Sequence, residues 1–272
     1  MLTDTDGLTA YAEGKILAGV QGQVGRLVFN NPERHNAVSL EMWQGATEAV
    51  ERMAAAGDAR VLLVSGTGKK AFVSGADISK FEKERSTPEA VALYQNTSAQ
   101  FYETLYHFPR PSIACITGFC IGGGMALAVC CDLRIAEEKA RFGVPAAKLG
   151  LGYGYAGIKR LVEIAGSANA MEIFYTARQF SAAEAHHMGV VNQVLAEPLF
   201  ETYVADYVNR ITENAPMTIA TAKAVIREIG KPSADRDLQR LDAMVTDCFE
   251  SEDYIEGRRA FMEKRKPEFK GR

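Results

Sequence analysis

Ser112-Ile113-Ala114-Cys115-Ile116-Thr117-Gly118-Phe119-Cys120-Ile121-Gly122-Gly123-Gly124-Met125-Ala126-Leu127-Ala128-Val129-Cys130-Cys131 runs for twenty residues without a charge. That length suits a membrane span, and Gly118 and Gly122 form the small-residue spacing of packed membrane helices. Three successive glycines argue otherwise, since each costs a helix about 1 kcal/mol relative to alanine. Pro109 and Pro111 fence the start, and no second apolar run of this length exists. The stretch therefore reads as a buried strand from Ile113 to Thr117, a glycine loop, and a buried helix from about Gly124 to Cys130. A soluble chain follows.

Outward from this centre, strands alternate with helices. Upstream, Ile16 to Val20 and Val24 to Asn30 read as strands around a Gln21-Gly22 turn. A loop over Asn31 to Asn36 leads to a helix capped by Ser39, running from Leu40 to about Ala56 and ended by Gly57-Asp58. Val61 to Ser65 is apolar throughout, as in a strand covered on both faces. Ala71-Phe72-Val73 then leads to Ser74-Gly75-Ala76-Asp77, and Thr87-Pro88 starts a helix to about His107. Downstream, Asp132 to Ala136 reads as a strand and Gly143 to Gly157 as a glycine-rich loop. Helices follow over Gly157–Ala165, Ala168–Tyr175, Ala182–Met188, Pro198–Asn214, Pro216–Glu228, Asp235–Phe249 and Glu252–Lys264. The division expected is a strand–helix core over residues 1–200 and a helical region over 201–272.

The 272 residues carry 31 basic against 34 acidic side chains, a net charge of −3, with no long block of one sign. Nucleic acid is not the expected partner, because such binders show a strongly basic face. The acidic N-terminus, Met1 to Asp6, does not resemble a targeting leader. Five cysteines (Cys115, Cys120, Cys130, Cys131 and Cys248) contain no Cys-x-x-Cys pair. They read as thiols in a reducing compartment rather than a zinc cage or disulfide framework.

Several glycine and histidine patterns fail their chemical requirements. Gly118 and Gly123 have phosphate-loop spacing, but Gly124 and Met125 occupy the places of the required Lys and Ser/Thr. A dinucleotide fingerprint needs glycine where Leu127 stands. There is no Gly-x-Ser-x-Gly elbow and no His-Glu-x-x-His. His186-His187 are helical neighbours whose rings point apart, so a surface or packing role is expected and no metal site. Asn96-Thr97-Ser98 matches a glycosylation acceptor but carries no weight without a leader. Two turns remain, Gly75-Ala76-Asp77-Ile78 and Gly122-Gly123-Gly124, each following a strand. Their main-chain N–H groups are free to point outward, and two converging on one carbonyl oxygen make an oxyanion hole. A helix beginning at the second turn adds its positive end.

The segments Asn31-Pro32-Glu33-Arg34-His35-Asn36-Ala37, Ala71 to Ile78, and Gly118 to Gly124 resemble the crotonase (enoyl-CoA hydratase/isomerase) superfamily in order and spacing. So do Cys131-Asp132, Ala140 to Pro145, Ser181 to Ala185, and Ala260 to Arg265. The resemblance covers nearly the whole chain. It implies an α/β fold with a ββα spiral core and a C-terminal helical trimerisation region, assembled as a homotrimer or a hexamer made of two trimers. It also implies an acyl-CoA substrate, with coenzyme A entering as part of that substrate and no separate cofactor, nucleic acid or membrane involved.

By position, the N–H groups of Ala76 and Gly123 correspond to the oxyanion hole. Arg34, Asn36, Ala37, Val38, Ala71, Phe72, Ala76, Asp77 and Ile78 correspond to the coenzyme pocket, joined by Phe261 and Lys264 from the C-terminal region. Lys264 suits phosphate as a point charge, or a solvated face shared with Arg265 and Lys266. Asp77 suits a helix cap better than catalysis.

The chain departs from the hydratase pattern at the two glutamates that handle water and the α-proton. Those positions hold Ala126 and Ala146. Alanine can neither give nor take a proton, and general acid–base help is worth about 10²–10⁴-fold. Enolate stabilisation is therefore expected to persist while standard hydration is weak or absent; the single-glutamate isomerase pattern fails too. Tyr153 aligns with a pocket tyrosine similar to that of methylmalonyl-CoA decarboxylases, whose histidine would sit at Ala76. It could also pack on the glycine loop. Dihydroxynaphthoyl-CoA synthases place an aspartate at the Tyr153 position. The expectation is a cytoplasmic acyl-CoA enzyme working through a thioester enolate. Decarboxylation or thioester hydrolysis with Tyr153 or water, and non-catalytic acyl-CoA binding by an oligomer, are the alternatives.

Overall fold

The computed structural model describes residue 2, residues 4–80 and residues 86–272. The sequence leaves acyl pocket size to the helix from Pro88 and the loop after Phe81, and residues 81–85 of that stretch lie outside the described residues. β1 (Thr9–Tyr11) is a strand that the sequence pattern does not predict; the next elements follow the sequence closely: β2 (Ile16–Gln21), β3 (Val24–Phe29), α1 (Leu40–Ala56), β4 (Val61–Gly66), β5 (Ala71–Val73) and α2 (Pro88–Tyr106). Ser39 accepts from the Met42 N–H and Thr87 from the Ala90 N–H, caps worth about 1 kcal/mol each. Gly57 closes α1 with φ 73°, a conformation that favours glycine.

The remaining elements are β6 (Ser112–Ile116), β7 (Phe119–Ile121), α3 (Gly123–Ala128), β8 (Leu133–Glu137), β9 (Arg141–Gly143), α4 (Ala146–Leu149), α5 (Tyr155–Thr176), β10 (Phe180–Ser181), α6 (Ala182–His187), β11 (Gln193–Leu195), α7 (Glu197–Thr212), α8 (Pro216–Ile229), α9 (Leu238–Glu250) and α10 (Glu252–Glu263). Several expectations change here. The glycine loop after Thr117 contains β7, and the loop expected over 143–157 contains α4 and the start of α5. The break expected between the helices over 157–165 and 168–175 is present within α5 at Gly166, whose backbone is non-helical with φ 77°. Strands β10 and β11, at two and three residues, occupy the gaps between the helices expected over 168–175, 182–188 and 198–214, where no strand is expected.

Seven strands form one sheet in the order β1-β2-β3-β4-β6-β8-β11, and four form a second in the order β10-β9-β7-β5. The repeat is visible in that order: β4 then β5, β6 then β7, and β8 then β9 each place one strand in each sheet before a helix. Successive repeats stack in parallel in both sheets, giving the ββα spiral. Val61, Leu62, Leu63 and Val64 are all fully buried, because helices and the second sheet cover both faces.

The C-terminal helices begin in the core. Phe200, Val204 and Val208 of α7 pack with Val61, Leu63, Ile113, Cys115 and Ile135, so the division drawn at residue 200 falls within α7. Among the described residues no helix is long and apolar enough to cross a membrane. Cys115, Cys120, Cys130 and Cys131 are buried free thiols, and Cys248 is a half-buried one. Desolvation pushes the Cys115 and Cys130 thiols up to about 12, which leaves them protonated and unreactive.

Candidate active site

The segments expected to line one pocket are stitched together by main-chain bonds. The Val38 N–H donates to Gly75 O (2.8 Å), the Asp77 N–H to Val38 O (3.0 Å), and the Ser74 N–H to His35 O (3.2 Å). Asn36, fully buried, spans the same seam: its Nδ2 donates to Thr67 O and Ala71 O, and its Oδ1 accepts from the Asn31 N–H. Ala37, Val38, Ala71 and Phe72 are buried as well. Arg34 and Ile78 are exposed. The Asp77 carboxylate accepts from the Ser79 N–H and hydroxyl at 3.1 and 2.6 Å, the capping role expected of it.

The second turn arrives from β7. Gly122 takes φ 57°, and its N–H donates to Gly143 O at 2.8 Å, which ties the turn to the strand preceding Ala146. The two turns approach one another closely. A Cβ placed on Gly75 would stand 3.8 Å from the Gly123 nitrogen, and one on Gly122 would stand 3.9 Å from Gly75 Cα. Neither the Ala76 N–H nor the Gly123 N–H donates to any group among the described residues. Gly123 opens α3, whose first N–H groups have no intrahelical acceptor. Ala76, Gly122, Gly123 and Ala126 are all half-buried, so this edge is not sealed by the chain itself.

Trp43, Tyr94 and Tyr102 flank the same place and were missed in the sequence, where their spacing is that of core aromatics. A Cβ on Gly123 would lie 3.4 Å from Tyr102 Oη and 3.6 Å from Trp43 Cζ2. Tyr153, in contrast, is half-buried with its ring edge-to-face on Phe174, centroids 5.2 Å apart. Ala146 is 5% exposed and opens α4. Phe261 and Lys264 lie exposed at the end of α10, and the Lys264 N–H bonds back to Ala260 and Phe261 carbonyls. Among the described residues no hydrogen bond or ring contact joins them to the turns.

The chain matches the model of the family described as enoyl-CoA hydratase/isomerase over residues 19–272. It belongs to that family. A short-chain-enoyl-CoA hydratase of Clostridium acetobutylicum is 32% identical over 93% of this chain and 96% of its own length. A crotonyl-CoA hydratase of Syntrophomonas wolfei is 33% identical over 89% and 93%. Among solved structures, an enoyl-CoA hydratase/carnithine racemase from Magnetospirillum magneticum superposes with a TM-score of 0.89 at 34% identity, covering 95% of this chain and 96% of that one. The fold is thus the crotonase fold, and the protein is an acyl-CoA-processing member of this enzyme family.

A second concave region lies elsewhere. A groove of about 1290 Å³ runs between the end of α2, the start of α5, and helices α7 and α8. Several of its charges are engaged with one another. Asp132 takes Lys223 at 2.7 Å, Arg227 at 2.6 Å and the Ser112 N–H at 2.8 Å. The Arg160 and Arg227 guanidinium carbons each stand 3.4 Å from the centroid of Tyr106, a distance that requires opposite faces of the ring. Burial lowers the affinity of Lys223 for its proton, opposed by Asp132. These residues latch α8 onto the core. His186 and His187 are exposed, and His186 Nδ1 pairs with Val191 O. Among the described residues no group of three potential ligands could hold a metal ion.

Proposed function

We propose that the protein is an acyl-CoA enzyme that holds a thioester enolate between the N–H groups of Ala76 and Gly123, and that it has little or no standard enoyl-CoA hydratase activity. The observation that carries this reading is the close approach of two turns, each with an unpartnered main-chain donor on a half-buried edge. Removing one such donor costs about 3–4 kcal/mol of barrier in other enzymes. Main-chain donors also leave the side chains free to vary. Hydration needs a side chain that activates water and another that delivers a proton, and Ala126 and Ala146 supply neither.

An enolate can be reached without a strong base if carbon dioxide is the group that leaves. Decarboxylation of a β-carboxy acyl-CoA is therefore the reaction class this site suits best, with thioester hydrolysis by water second. The packing of Tyr153 on Phe174 favours a supporting role for that residue over proton transfer. Coenzyme A would lie along Arg34 to Val38 and Ala71 to Ile78, with Phe261 and Lys264 reaching it from a neighbouring copy. Exposed Val245, Phe249, Ile255, Phe261 and Met262 on α9 and α10 offer an apolar face for the trimer or hexamer. The cytoplasm is the compartment proposed.

A panel of acyl-CoA thioesters, incubated with the protein and resolved by mass, tests the reading. Loss of 44 mass units from a β-carboxy thioester supports decarboxylation. Crotonyl-CoA hydrated at an ordinary enzymic rate, on the order of 1–10³ s⁻¹, rejects the assignment of the two alanines. No change in any thioester, with binding retained, leaves a carrier rather than an enzyme.

A further inference from the structure

Helix α2 reaches both turns through hydroxyl groups. Tyr94, almost fully buried, donates to Val38 O at 3.2 Å and accepts from Trp43 Nε1–H at 2.9 Å. Val38 is the residue that pairs with the first turn, through the Gly75 carbonyl and the Asp77 N–H. Eight residues further along the helix, Tyr102 donates to the carbonyl of Gly123 at 3.3 Å. Eight residues of α-helix rise about 12 Å, so one stiff rod holds Val38 beside the first turn and Gly123 in the second from two separate anchor points. Both hydroxyl bonds are longer than the ~2.7–2.8 Å usual for O–H donors. Their contribution is thus to geometry more than to stability.

We infer that Tyr94 and Tyr102 are positioning residues, which register the Ala76 and Gly123 amides against each other through helix α2. The inference rests on the oxyanion reading above. A donor pair stabilises a developing negative charge only when it is held in advance at the right separation, because reorganisation at the moment of reaction consumes the benefit. The turns themselves are short, and Gly75 and Gly122, both at positive φ, have no side chain to restrict their backbones. A tether from outside each turn supplies the rigidity that their own residues lack. Tyr106, four residues beyond Tyr102, provides a control: it lies on the same helix but faces Arg160 and Arg227.

Acetoacetyl-CoA is a suitable probe, because its enolate absorbs in the ultraviolet and an oxyanion hole favours that form. Full-length protein is titrated with it across pH, and the enolate fraction gives the acidity of the bound ligand. The wild type is expected to make bound acetoacetyl-CoA more acidic than the free compound. Tyr102→Phe and Tyr94→Phe are each expected to lower the bound enolate-to-keto ratio about tenfold, below the 10²–10³-fold for loss of a whole donor. Affinity for coenzyme A itself stays unchanged, and Tyr106→Phe behaves as wild type. Tyr102 is half-buried and its variant keeps the ring, so the test survives even if Tyr94→Phe fails to fold. A wild-type ratio in Tyr102→Phe overturns the bracing role and leaves the oxyanion reading intact. Parallel loss of coenzyme A binding in Tyr102→Phe also overturns it, since that marks a general structural defect. A wild type that does not acidify the ligand overturns both.

Discussion

Two glycine clusters in this chain look alike in sequence and do opposite things. Around Gly122-Gly123-Gly124, a Cβ on Gly124 would collide with the Val73 carbonyl and stand 2.9 Å from the Val73 side chain. Around Gly150, Gly152 and Gly154, a Cβ would meet nothing within 4 Å. The first cluster has glycine because α3 lies directly on β5, which brings the second turn up to the first. The second is an open approach to α5. A glycine-rich stretch is therefore informative about function only when the neighbouring backbone is crowded against it.

Gly124→Ala breaks the comparison most directly. The methyl must push α3 off β5, at a cost near the upper end of the ~1–3 kcal/mol of overpacked sites, with loss of acyl-CoA turnover; thermal unfolding and product analysis measure both. Gly152→Ala, by contrast, is expected to change stability by no more than about 0.5 kcal/mol. Next in size is Asp132→Asn, which lies just after α3 but acts through charge. It leaves Lys223 and Arg227, 13% and 24% exposed, without their counter-charge. We expect a loss of about 2 kcal/mol, short of the 3–5 kcal/mol for a fully buried pair, with the enolate chemistry of the surviving fold unchanged. Denaturant titration and acyl-CoA turnover separate the two effects.

Ala126→Glu sharpens the comparison from the chemical side. Position 126 is half-buried on the crowded cluster and accepts a carboxylate more readily than the 5% exposed Ala146. The double variant Ala126→Glu/Ala146→Glu is expected to gain crotonyl-CoA hydration, up to the ~10²–10⁴-fold of acid–base help, and to lose stability through the buried charge at 146. No gain in crotonyl-CoA hydration would mean that the pocket differs in shape as well as in charge.

The smallest effect concerns pH. The Ser181 N–H, then Arg178 and the Ser181 hydroxyl, hold the Glu184 carboxyl down to about 2. A depressed carboxyl stabilises the fold above its unfolded value near 4.3 and stops doing so as pH falls through the folded value. The melting-temperature deficit of Glu184→Gln should therefore be present at neutral pH and shrink between about pH 5 and pH 2.

Long elements were legible in the sequence because periodicity and caps agree there. Ser39 with Gly57, and Thr87 with Pro88, bracket α1 and α2 within a residue. The two turns were legible as well, because a strand ending in glycine leaves main-chain donors without partners. Strands β7, β9, β10 and β11 were not: at two or three residues they carry no period, and only neighbouring strands define them. Nor was the aromatic support of the site, since Trp43, Tyr94 and Tyr102 share the spacing of ordinary core residues. Their hydroxyl and indole partners lie up to 56 residues away, a separation that local pattern does not encode. The acid–base gap proposed at Ala126 and Ala146 rests on the resemblance to the family pattern, because alanine announces nothing by itself.

The central claim is that the Ala76 and Gly123 amides share one thioester oxygen. A crystal structure with acetoacetyl-CoA bound tests it most directly. The account predicts the thioester oxygen within about 2.7–3.1 Å of both nitrogens. An oxygen bound to only one of them, or a thioester seated in the groove beside Tyr106, would contradict it.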